Sequence, residues 1–185
     1  MTRLWLVRHG PTHAKTLIGR TDRPADLTDR AALDRLHAAL PPAAPILGTG
    51  LRRTEATADA LARGRPRLAP EPGLREFDYG AWEDQPFAAF DGPLSRRFFE
   101  DPGVHRPPGG ESWNDVRDRA VAALRAYEDW PELVAVAHFG TILVLWAHVA
   151  DVAPKDALAR NVAPLSLTRL DWGAGARAHF VGRAL

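Results

Sequence analysis

Apolar positions along the chain follow two spacings, and their alternation outlines the fold. Leu4 to Val7 is a short apolar, partly β-branched run closed by Gly10-Pro11, the pattern of a buried strand ending in a turn. After a polar loop from Thr12 to Leu27, Thr28 is placed to cap a helix that carries Leu33, Leu36 and Leu40 on one face and stops at Pro41-Pro42. Ile46-Leu47 to Gly50 reads as a second strand. Arg53 to Arg63 reads as a helix with Gly64 at its C-terminal cap.

The segment from Pro66 to Gly110 is rich in Pro, Gly and aromatic residues, with one short helix expected from Pro86 to Phe99, and it is expected to fold over the core. Ser112-Trp113-Asn114-Asp115 has the form of a capping box, followed by Val116, Ala120, Ala123, Leu124 and Tyr127 on one helical face. Leu133 to Ala137 is a continuous apolar strand. The helix from Thr141 to Val149 is apolar on nearly every side, and Leu165 to Leu170 and Ala178 to Val181 supply final strands. Strands alternating with helices predict a three-layer α/β/α sandwich with a mostly parallel central sheet, in one domain over residues 1–185 with a small cap segment around 76–110.

Composition removes several classes of chemistry. The 24 Lys+Arg nearly cancel the 23 Asp+Glu, so no large field draws the chain to nucleic acid or an anionic membrane, and any recognition of an anion must be local. Only Lys15 and Lys155 are lysines, which leaves arginine, whose planar fork matches phosphate oxygens, as the main cation. Cysteine is absent, which excludes thiol catalysis and thiolate metal sites. The N-terminal run meets Arg8 and His9 before a signal-peptide core develops, so cytoplasmic residence is expected.

In open α/β sheets the ligand crevice lies beyond the C-terminal strand ends, where this chain presents Arg8-His9, Arg52 and His138, with Arg53 competing with Arg52 for its role. Two arginines and two histidines around one point suit a phosphoryl group: guanidinium neutralises its oxygens and a neutral imidazole can attack phosphorus. His9, His13, His138 and His148 do not make a metal site by pattern, since Pro11 interrupts any helix between His9 and His13 and no acidic cluster accompanies them.

With these residues in place, the chain resembles the histidine phosphatase superfamily, which includes the cofactor-dependent phosphoglycerate mutases. The resemblance is carried by Arg8-His9-Gly10-Pro11-Thr12, Gly50-Leu51-Arg52-Arg53-Thr54-Glu55-Ala56-Thr57-Ala58, Leu74-Arg75-Glu76-Phe77-Asp78-Tyr79-Gly80-Ala81-Trp82-Glu83, Pro108-Gly109-Gly110-Glu111-Ser112 and Ala137-His138-Phe139-Gly140, in the family's order. It implies that His9 is the nucleophile, that Arg8, Arg52 and His138 hold the phosphate, and that Glu76 is the proton donor, with Asp78, Glu83, Asp84 and Glu111 as alternatives. Thr12 is expected to brace the first loop and Phe139 to wall the pocket, which makes Arg8, His9, Thr12, Arg52, His138 and Phe139 the expected substrate-binding set. One nitrogen of His9 should donate to a backbone carbonyl, and His138 should donate to an oxygen.

The sequence departs from the family pattern at Pro11, Asp29, Asp84 and Phe139. The expected activity is a metal-independent phosphomonoesterase acting through phosphohistidine on a small-molecule phosphate ester, without a cofactor. The short cap and the Pro-Gly-Gly-Glu-Ser block resemble α-ribazole phosphatases. A mutase, a phosphoprotein phosphatase and a non-catalytic phosphate-binding module are the alternatives. Phe87, Phe90, Phe98 and Phe99 are expected to roof the pocket. The residues do not specify an oligomeric state.

Overall fold

The computed structural model describes residues 1–185. Its sheet is built from β1 (Thr2–Arg8), β2 (Ile46–Leu47), β3 (Glu132–Ala137), β4 (Leu167–Trp172) and β5 (Arg177–Arg183), in the order β2-β3-β1-β4-β5. β2, β3 and β1 run parallel, while β4 and β5 continue the sheet antiparallel. The parallel part is therefore the half whose strand ends carry the candidate residues.

Alternation along the strands sends side chains to two cores. Leu4, Leu6, Leu133, Ala135 and Ala137 join one face, covered by α5 (Trp113–Leu124) and α6 (Phe139–Ala150). Val7, Val134 and Val136 join the other, where α1 (Arg30–Ala39) and α2 (Arg52–Ala62) supply Leu33, Leu36, Ala58 and Leu61. Gly140 through Ala147 of α6 are all buried, as expected for a helix without a polar face. No helix is long and apolar enough to cross a membrane.

Three local expectations are corrected. Asp29, not Thr28, caps α1 by accepting from Ala32 N, and Thr28 instead binds the Asp26 carboxylate through its N–H and hydroxyl. Helix α2 ends one residue early, with Arg63 left-handed at its cap and Gly64 (φ +95°) following. The cap helix is two helices, α3 (Phe87–Phe90) and α4 (Pro93–Glu100), because a residue before proline is driven out of the helical region and Gly92 accordingly lies extended. The capping box of Ser112 and Asp115 forms as read. A short α7 (Pro154–Leu158) packs against α6.

Arg65, only 4% exposed, ties the C-terminal ends of α1 and α2 together. Its guanidinium donates to the carbonyls of His37, Leu40, Pro41 and Leu61 and to His37 Nδ1. The negative ends of two helices thus stand in for a carboxylate. Arg65→Lys keeps the charge but loses the planar fork, and should lower the unfolding free energy by about 2–3 kcal/mol in urea titration.

Candidate active site

The register of β1 on β3 pairs Arg8 with Ala137, so the next residues, His9 and His138, leave the sheet at one level. Their ring centroids lie 5.1 Å apart. β2 pairs Leu47 with Ala135, which brings Thr49, two residues on, level with the same strand ends. Three loops from adjacent parallel strands therefore open onto one point.

His9 Nδ1 donates to Gly10 O at 2.7 Å, leaving Nε2 with its lone pair. Arg53 Nε lies 3.2 Å from that Nε2 and 3.3 Å from His138 Nδ1, so a single N–H is shared between two ring nitrogens that both act as acceptors. His138 must then carry its proton on Nε2, which donates to Thr49 Oγ1 at 2.9 Å. Thr49 Oγ1 is 3.0 Å from Thr54 Oγ1, and Thr54 gives its own hydroxyl proton to Leu51 O. This chain of hydroxyls runs in one direction and fixes the His138 tautomer. Burial, then the neighbouring Arg53 and Arg8 charges, hold His9 down to about 3 against the carbonyl of Gly10, which pulls the other way. Burial, with the Arg53 charge beside it, pushes His138 well below its ordinary range.

The arginine at this centre is Arg53 and not Arg52. Arg53 is 1% exposed, whereas Arg52 points to solvent and meets Asp22 only through its backbone N–H. Adjacent helical residues face directions about 100° apart, so only one can look inward. The buried stripe of α2 contains Arg53, Thr57 and Leu61, spaced by four, so counting back along the helix from Leu61 selects Arg53 over Arg52.

Glu76 is 5% exposed and is the carboxylate among the residues that line a cavity of about 210 Å³ with Arg8, His9 and Arg53. Its oxygens accept from Phe77 N and Gly140 N. Gly140 is required here, because a Cβ would stand 2.6 Å from Glu76 Oε1 and 2.7 Å from the Phe77 ring. Arg75 makes no ion pair with Glu76 and turns to Thr49 O. The alternative carboxylates are engaged elsewhere: Asp78 at Gly80 N, Asp84 with Arg23 and Thr16, and Glu111 with Arg119 and Arg20.

Glu83 accepts from the backbone N–H groups of Gly19, Arg20, Thr21 and Tyr79 and from the Thr21 hydroxyl, and these bonds outweigh burial to hold its carboxyl below the usual range. The loop it grips returns the carbonyls of Gly19 and Thr21 to Arg53, at 2.6 and 2.8 Å. Thr49 and Glu83 thus support the site through contacts that join distant positions, and Thr54 braces Thr49 from five residues away.

Arg8 lies over the Phe139 ring at 5.3 Å and donates to Val162 O, while its Nε is buried without a partner. Phe139 opens α6 with no need for positive φ. Asp84 takes φ +55°, in the left-handed region that favours glycine. Thr12 lines the cavity, and its hydroxyl lies 3.5 Å from Ala14 N. The four cap phenylalanines do not roof the cavity; they pack on one another and on Trp82, which stacks on Phe90 at 4.9 Å. His13 pairs with Asp26 at the surface, and His148 lies beside Trp172, away from the site.

Residues 4–180 match the model of the histidine phosphatase superfamily (branch 1). No curated protein matches the chain. Among solved structures, YhfR of Bacillus stearothermophilus superposes with a TM-score of 0.86 at 24% identity, over 98% of this chain and 97% of that one. An α-ribazole phosphatase from Shigella flexneri gives 0.81 at 22% identity, over 99% and 97%. A mycobacterial glucosyl-3-phosphoglycerate phosphatase gives 0.82 at 27% identity, over 100% of both chains.

A histidine held neutral in the folded state and free to protonate near its ordinary 6.5 when unfolded makes stability fall as pH drops from about 6.5 toward about 3. His9 alone should remove about 2 kcal/mol between pH 7 and pH 5. Urea titrations at the two pH values should show this loss, reduced by a similar amount in His9→Gln. Nitrogen NMR at pH 5 should find His9 neutral and protonated on Nδ1.

Proposed function

Since the chain belongs to the histidine phosphatase superfamily, we propose that it is a metal-independent phosphomonoesterase that works through a phosphohistidine on His9. The observation that carries this reading is the unprotonated Nε2 of a neutral His9, fixed by Gly10 O and facing the cavity beside Arg8 and Arg53. Nε2 attacks phosphorus as the bond from phosphorus to the ester oxygen breaks. Glu76, in its acid form, gives the departing alkoxide its proton. Its carboxylate then takes a proton from water as that water attacks phosphorus and the N–P bond breaks, releasing inorganic phosphate and restoring neutral His9 and the acid form of Glu76.

Arg8 and Arg53 neutralise the phosphoryl oxygens, and on substrate entry the Arg53 Nε–H turns from the ring nitrogens to oxygen. His138, whose one N–H goes to Thr49, acts on the phosphate through Arg53, orienting that guanidinium by accepting from it at Nδ1. Thr12 and Phe139 bound the phosphate side. Arg52 has no part in the reaction. A small phosphorylated metabolite fits the size of the cavity, and α-ribazole phosphate is the first substrate to test, in keeping with the short cap and with one of the structural relatives. The two short cap helices hold no long insertion that would shield a phosphoenzyme from water, which favours hydrolysis over transfer to a second acceptor.

Arg53→Ala should lower kcat/KM for phosphate release by about 100- to 1,000-fold, while Arg52→Ala stays within about threefold. Equal losses in the two variants would contradict this assignment. During turnover, intact-mass measurement of Glu76→Gln should detect a phosphorylated protein that His9→Ala, and His9→Ala combined with Glu76→Gln, never form.

A further inference from the structure

The cavity has a phosphate side and a leaving-group side, and the charge on the two differs. The phosphate side holds Arg8, His9 and Arg53, with His138 buried behind Arg53. The other side is walled by Ala14, Thr16, Leu17, Ile18 and Tyr79, none of which carries a charge. The neighbouring cations are spent elsewhere: Arg20 meets Glu111 at 3.3 Å and Arg23 meets Asp84 at 2.7 Å. Arg96 and Arg106 pair with Asp91 and Asp115. Arg97 is exposed on α4 and does not line the cavity. Lys15, on the mouth loop, faces solvent and is also outside the lining.

The charge count within the cavity leaves nothing for a second anion. A phosphate monoester carries roughly −1.5 to −2 near neutral pH, and two guanidinium groups balance it. Both imidazoles are acceptors toward Arg53 and contribute no charge. Glu76 stands at the junction of the two sides and becomes negative once it has given up its proton. A carboxylate or second phosphate on the leaving group would lie against uncharged wall with a carboxylate for a neighbour, losing water without gaining a partner.

Resting on the phosphatase reading above, we infer that the enzyme selects monophosphates of small uncharged alcohols and rejects esters whose alcohol carries a second anionic group. The walls supply the positive half of that choice. Leu17 and Ile18 offer apolar surface, and Tyr79, stacked on Phe77 with ring centroids 5.7 Å apart, offers a fixed aromatic face. At about 210 Å³ the cavity is smaller than a drug-sized pocket, so it takes the phosphoryl group and the first atoms of the alcohol.

The test compares 3-phosphoglycerate with its methyl ester, which differ by one negative charge and share the same scissile bond, with phenyl phosphate as a reference. Initial rates of phosphate release should give the methyl ester a kcat/KM at least tenfold above that of the acid. Ile18→Arg, which adds a cation to the wall, should move that ratio toward the acid by at least tenfold. A ratio within threefold of unity in the wild type, or one favouring the acid, overturns the inference. Loss of an acid preference in Lys15→Ala would identify the cation responsible. Failure of all three esters to release phosphate would instead remove the phosphatase reading, and this inference with it.

Discussion

A single N–H of Arg53 stands between the facing nitrogens of His9 and His138, and the rest of the site is arranged to keep it there. The sharing requires both rings to be neutral and to turn a lone pair inward, so each must place its proton on the far nitrogen. Gly10 O receives one of these protons and Thr49 the other. The guanidinium is held from behind by two loop carbonyls, and the loop is held by Glu83. Loosening any of these groups lets a ring rotate or a proton move to the wrong nitrogen.

This arrangement opposes stability. Arg53 is buried without a carboxylate at ion-pair distance, and backbone dipoles carry its solvation instead. Two imidazoles are kept neutral where solution would allow them to charge. Such groups are tolerated because the two cores on either side of the sheet supply a large apolar burial that does not depend on them. Concentrating unfavourable electrostatics at one strand-end cluster is the pattern expected where function and stability compete.

Much of this was legible in the sequence, and the misses have physical causes. The strands, the α5 capping box and the fully apolar α6 follow from period and cap chemistry, which are local. The position of His9 beside His138 follows from the parallel topology, and Glu76 from its motif. Arg52 lies nearer the strand end, but the helical stripe that Thr57 and Leu61 define turns Arg53 inward. Thr49 and Glu83 act through contacts between segments distant in sequence, so no window of residues contains their signal, and Thr54 matters only because Thr49 reaches His138. The cap phenylalanines pointed to a roof by composition alone; their packing on Trp82 is a matter of side-chain direction, which composition does not encode.

The loop from Thr12 to Thr21 divides its work between backbone and side chains. Carbonyls at Gly19 and Thr21 hold the phosphate-side arginine, whereas the side chains of Ala14, Thr16 and Ile18 face the cavity. A backbone carbonyl survives almost any point substitution, but a side chain does not. Drift in a few loop residues can therefore reshape the cavity wall while the hold on Arg53 passes down intact. Divergence in substrate among relatives of one fold then requires no reinvention of the reaction.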